Sequence, residues 1–78
     1  MPPMKSTTEV RVPTLTLNGQ DEPLDGAVSV GDLLDRRSLR ERRIAIERNG
    51  EIVPRSAVDR TVLQDGDRIE IVVAVGGG

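Results

Sequence analysis

The chain ends Val72-Val73-Ala74-Val75-Gly76-Gly77-Gly78, and the group best placed to react is the α-carboxylate of Gly78. What the chain lacks points there. It has no Cys and no His, hence no thiol nucleophile, no Cys-based metal site and no imidazole acid or base. The remaining residues form no nucleophile–base pair, so no active site is expected within the chain. A terminal carboxylate is ionised at neutral pH, and its delocalised charge makes it a poor acyl electrophile. It becomes an acyl donor only when it is given a leaving group, as adenylation by ATP would do. Gly76 and Gly77 suit such a group. Without Cβ atoms they pass through a narrow channel, and the three glycines together reach roughly 10 Å when extended. Taken alone, such a tail reads first as a frayed chain end; the remainder of the chain reverses that reading.

The elements that must carry the tail follow from periodicity. The 78 residues suffice for one small domain. With no Phe, Tyr or Trp, its core must be built from Val, Leu and Ile. Residues 1 to 11 form a flexible leader, residues 12 to 75 the domain, and residues 76 to 78 a glycine tail. Leu15 and Leu17 alternate with Thr14 and Thr16, a strand ended by the hairpin signal Asn18-Gly19. The returning segment, Gln20 to about Leu24, contains Pro23 and reads as an edge strand. Ser29 with Asp32 approximates a capping box for a helix of about three turns. That helix buries Val30, Leu33 and Leu34, with Leu39 packing just past its end. Residues 44 to 48 alternate as a strand, Asn49-Gly50 is a second hairpin turn, and residues 51 to 53 make a short strand ended by Pro54. Residues 55 to 61 read as a loop or a single helical turn. Asp65-Gly66 turns into a last strand in which Ile69, Ile71, Val73 and Val75 face one way and Arg68, Glu70, Val72 and Ala74 the other.

This order predicts an α+β, β-grasp (ubiquitin-like) domain: a mixed sheet with one main helix packed across it. The expected core is Leu15, Leu17, Leu33, Leu34, Ile44, Ile46, Ile69 and Ile71.

With the order in place, three segments become recognisable. Asn49-Gly50-Glu51-Ile52-Val53-Pro54-Arg55, Leu63-Gln64-Asp65-Gly66-Asp67-Arg68-Ile69-Glu70-Ile71 and the terminal Val75-Gly76-Gly77-Gly78 resemble the sulfur carrier proteins of thiamine biosynthesis. The likeness runs over about residues 14 to 78, and the opening Leu17-Asn18-Gly19 is also typical. The resemblance implies a carrier rather than an enzyme. An E1-like adenylyltransferase would activate Gly78 with its own Mg-ATP. A persulfide donor would supply sulfur to give a thiocarboxylate, and thiazole synthase would receive it. No cofactor would be bound by this chain. Two features depart from the pattern. Val58 stands where many members carry an aromatic residue, which puts the partner contact at that position in question, and the leader is long.

Val72 and Ala74, outward-facing and leading into the tail, are the candidate partner-docking residues. Asp65 and Asp67 belong to turn chemistry and lack a third ligand, so no metal site is assigned. The run from Arg36 to Arg43 carries five arginines, and a solvated helix end explains it better than a binding patch. With a net charge of −2 and no aromatic ring to stack on a base, no nucleic-acid partner is expected. No apolar run reaches transmembrane length and no signal-peptide core is present, so no membrane association is expected and the cytoplasm is the expected compartment. The competing functions are a molybdopterin-synthase-type sulfur carrier, a ubiquitin-like protein modifier and a plain β-grasp interaction domain.

Overall fold

A computed structural model describes residues 12–74; the leader, Val75 and the glycine tail lie outside the described residues. Two hairpins and a central strand make the sheet. β1 (Thr14–Leu17) and β2 (Gln20–Pro23) form the first hairpin, β3 (Ile44–Arg48) and β4 (Glu51–Ile52) the second, and β5 (Arg68–Val73) lies between them. The sheet order is β2-β1-β5-β3-β4. β1 and β5 run parallel, and every other pairing is antiparallel. The helix α1 (Val30–Arg36) connects the hairpins and buries its apolar residues against the sheet's inner face. This is the expected β-grasp.

Both Asn-Gly turns adopt the two positive-φ conformations that a type I′ hairpin demands: 50° and 84° at Asn18-Gly19, 52° and 88° at Asn49-Gly50. β2 is an edge strand, as Pro23 requires, because its missing N–H costs nothing there.

The helix is shorter than the periodicity suggests. It spans seven residues, about two turns. Its start is well made. Ser29 Oγ accepts the Asp32 N–H at 3.2 Å, and Asp32 Oδ2 accepts the Ser29 and Val28 N–H groups at 3.0 and 2.8 Å, a full capping box. The next two donors, the Val30 and Gly31 N–H groups, bond to the Thr61 and Val58 carbonyls, so the helix start is docked onto the loop before β5. Its end is a Schellman motif: the Ser38 N–H bonds to Asp35 O and the Leu39 N–H to Leu34 O. Ser38 takes the left-handed conformation there, with φ of 58°. Serine seldom does so, which is why the helix end is hard to read from the residues.

The core contains Leu15, Leu17, Leu33, Leu34, Ile46, Ile69 and Ile71, as expected, together with Val30. Two corrections apply. Ile44, at the outer end of β3, is only partly buried. Val53, Val58 and Leu63, from the irregular stretch between β4 and β5, complete the core instead. Val58 is 2% exposed, so it cannot itself be a partner contact; it packs beneath the 3₁₀ turn at Arg55–Ala57. Leu39 packs against the core just past the helix, as its position suggested. Among the described residues no helix is long and apolar enough to cross a membrane.

Candidate functional site

β5 is the last strand of the chain and lies at the centre of the sheet. It is paired on both sides, with β1 and with β3. Two asparagine side chains extend that pairing beyond the neighbouring strands. β1 turns away after Leu17, and the Asn18 side chain takes the place of its next residue: Oδ1 accepts the Ile71 N–H at 2.8 Å and Nδ2 donates to Ile71 O at 3.2 Å. At the other end of β5, the Asn49 N–H donates to Arg68 O at 2.8 Å while its Oδ1 accepts the Arg68 N–H at 2.8 Å.

Asn49 also donates to Asp67, which is 5% exposed and central to a small polar cluster. Asp67 Oδ2 accepts from Arg48 Nε at 2.9 Å and from the Gln64 N–H at 2.9 Å, and Oδ1 accepts from Asn49 Nδ2 at 3.1 Å. Burial pushes the Asp67 carboxyl up, but these donors, the Arg48 guanidinium foremost, outweigh it and hold the group below its ordinary range. The turn reading holds in the backbone, where the Asp67 N–H closes the turn on Gln64 O; the Asp65 side chain instead reaches across to β1, where its Oδ1 accepts the Thr14 N–H at 2.9 Å. These roles were invisible in the residues alone, where Asn18 and Asn49 signalled only hairpin turns. Among the described residues no group of three or more Asp or Glu is arranged to hold a metal ion.

The outer face of the sheet has a different character. Val72 is 65% exposed and pairs with the exposed Ala45. Ala74, also exposed, follows on the same side just beyond the strand, its N–H bonded to Arg43 O at 2.9 Å. The two candidate docking residues are thus brought together, joined by Ala45. Beyond them Glu47 stands directly opposite Glu70, and Ile52, 67% exposed, stands opposite Glu47 on its other side. The sequence reading put Glu70 on this face with Val72 and Ala74 but missed Ala45, Glu47 and Ile52 as its neighbours. The alternation within β3 placed Ala45 and Glu47 outward, but only the strand register sets them against Val72 and Glu70. Gly76, Gly77 and Gly78 lie outside the described residues.

Three arginines of the run make surface ion pairs. Arg36 and Arg37 both pair with Glu22, and Arg36 also donates to the carbonyls of Pro23, Leu24 and Asp25. Arg40 bridges Asp35 and Asp59, which raises its own pKa and holds Asp35 below its ordinary range. Arg55 ties the following loop by donating to the Arg40 and Arg42 carbonyls. Arg36, Arg37 and Arg40 therefore brace α1 against its neighbours, while Arg42 and Arg43 are exposed, as a solvated helix end would have them. The described residues present an exposed, partly apolar outer face on a strand paired on both sides.

Comparison with known proteins agrees with this geometry. The model of the ThiS family matches residues 15–78. A thiazole synthase from Paramagnetospirillum magneticum is 39% identical over 64 residues, which is 82% of this chain and 20% of the synthase. A second, from Magnetococcus marinus, is 34% identical over 62 residues, 80% of this chain and 19% of the synthase. The chain thus spans about a fifth of the length of these two relatives. The crystal structure of a thiamine biosynthesis protein (ThiS) from Geobacter metallireducens superposes with a TM-score of 0.70 at 37% identity, covering 83% of this chain and 99% of that one.

Proposed function

This chain belongs to the ThiS family, and we propose that it is a sulfur carrier of thiamine biosynthesis whose cargo is bound at Gly78. In this reading an E1-like adenylyltransferase lets the Gly78 carboxylate attack the α-phosphorus of Mg-ATP, releasing pyrophosphate and leaving an acyl-adenylate. The terminal sulfur of a persulfide donor then attacks the acyl carbon and AMP departs. A second thiol cleaves the resulting sulfur–sulfur bond, is itself oxidised to a disulfide, and leaves a thiocarboxylate on Gly78. Thiazole synthase, the name carried by two relatives, is the proposed acceptor, and the cytoplasm the proposed compartment.

The observation that carries the proposal is a doubly paired β5 whose exposed apolar residues Val72 and Ala74 stand in sequence directly before Val75 and the three glycines. A rigid root lets a partner position the end of a slim tail, and geometry of that kind is what acyl activation requires. Gly76 and Gly77 are assigned to the threading segment, which adds backbone groups to the partner as an extended strand.

The test is a mass measurement. The protein is incubated with its activating enzyme, Mg-ATP and a sulfide source. It should gain the mass of one oxygen-to-sulfur exchange, located in its C-terminal peptide. Deletion of Gly78 should abolish the gain, because the new carboxyl stops about 3.5 Å short of its station. Sulfur acquired by the deletion variant, or never acquired by the wild type, would refute the carrier reading.

A further inference from the structure

Glu47 and Glu70 are directly opposed across β3 and β5. Asn49 and Arg68 two places along one way, and Arg43 and Ala74 four places along the other, are hydrogen-bonded pairs. By the alternation of an antiparallel ladder Glu47–Glu70 is one as well, with the two side chains on the same face. Like charges so placed repel. Neither carboxylate forms an ion pair among the described residues, although Arg68 lines the same shallow depression. Elsewhere the fold spends its basic groups freely: Glu22, Asp35, Asp59 and Asp67 each hold an arginine. Other acids also lack an ion pair, but in the registers of the described strands Glu47 and Glu70 are the one pair of acids set directly opposite each other, and they lie on the same face as the exposed Ala45, Val72 and Ala74.

The only other neighbouring exposed valines among the described residues, Val28 and Val62, flank the helix cap through the Ser29–Val62 bridge. They have no opposed acids beside them and lead to no chain end.

We propose that the Glu47–Glu70 pair, with Ala45, Val72 and Ala74, is the surface by which this domain docks on thiazole synthase, taking one arginine of that enzyme between the two carboxylates. The assignment rests on the carrier reading above. A guanidinium fits because its planar fork of donors bonds two carboxylates at once and its weak hydration suits a site flanked by alanine and valine. Binding then turns a repulsion within the free domain into an attraction across the interface, and apolar contact beside it excludes water.

The experiment titrates thiazole synthase with wild type and with the double variant Glu47→Gln/Glu70→Gln, across a range of ionic strength. Glu51→Gln, on the same hairpin but alternating to the sheet's other face, is the control. The double variant should bind about tenfold or more weakly and lose most of the salt dependence seen in wild type, while its thermal midpoint does not fall. Glu51→Gln should match wild type. Sulfur loading of Gly78 is measured on the same samples and should survive in the double variant. Undiminished synthase binding by the double variant overturns the assignment while normal loading leaves the carrier reading intact. Loss of loading with synthase binding retained also overturns it, assigning the acidic pair to the activating enzyme instead. Failure of wild type to load at all removes the carrier reading, and this assignment with it.

Discussion

The two faces of the sheet are made by the same strands and obey opposite rules. On the inner face Leu15, Leu17, Ile46, Ile69 and Ile71 lie under α1, all of them buried. The one buried carboxylate at its rim, Asp67, is met by three donors. On the outer face Val72 and Ile52 remain in solvent, and Glu47 stands opposite Glu70 with neither forming an ion pair among the described residues, although Arg68 lines the same depression. A chain that satisfies its polar groups so completely on one side has the means to do so on the other. The difference separates a face shaped by folding from the one to which the docking proposal is assigned, with β5 common to both.

Breaking the inner face should have the largest effect. Leu34 is fully buried on the helix, and Leu34→Ala should cost about 2–5 kcal/mol, a large part of a small domain's stability. Urea unfolding measures it, and an unchanged midpoint would show that the helix does not bear on the core as described.

Removing the Asn18 side chain tests the coupling between faces. Asn18→Ala leaves the Ile71 N–H and C=O without the partners described, and should cost about 1–3 kcal/mol. Amide exchange of Ile71 should accelerate more than that of Ile46.

Acid should act on the inner face through Asp67. Its folded-state pKa lies below its unfolded value, so its contribution is present above the unfolded pKa and is lost as pH falls through the folded one. Stability should therefore decline below the ordinary carboxylate range, and Asp67→Asn should flatten that decline. Asp32 and Asp35 are shifted in the same direction, but they are exposed and contribute little.

The smallest effect on folding should come from the outer face, where the functional consequence is greatest. Ala74→Glu should leave the circular dichroism spectrum and thermal midpoint unchanged, yet weaken binding to both the activating enzyme and thiazole synthase. Wild-type affinity for both would remove Ala74 from the docking surface.

These contrasts also explain which features could be read from the residues. Alternation identified Leu15, Leu17, Ile46, Ile69 and Ile71 as inward and Val72 and Ala74 as outward, because a strand's period is local. The Asn-Gly dipeptides and the Ser29–Asp32 cap are local too, and all three turned out as expected. What escaped was long-range. The Asn18 side chain finds its partner on Ile71, 53 positions away, and only the register of β3 against β5 opposes Glu47 to Glu70. Val53, Val58 and Leu63 carry no periodicity because they enter the core from an irregular stretch. Ile44 fits the alternation but lies where the sheet runs out.

The central claim is that the outer face, rather than the helix side, presents the tail to its partner. Amide hydrogen exchange of the domain, free and bound to thiazole synthase, tests it most directly. Binding should slow exchange along Ala45, Glu70, Val72 and Ala74 and leave α1 and the Val28–Ser29 segment unchanged. Protection confined to α1, with none on β5, would contradict the account.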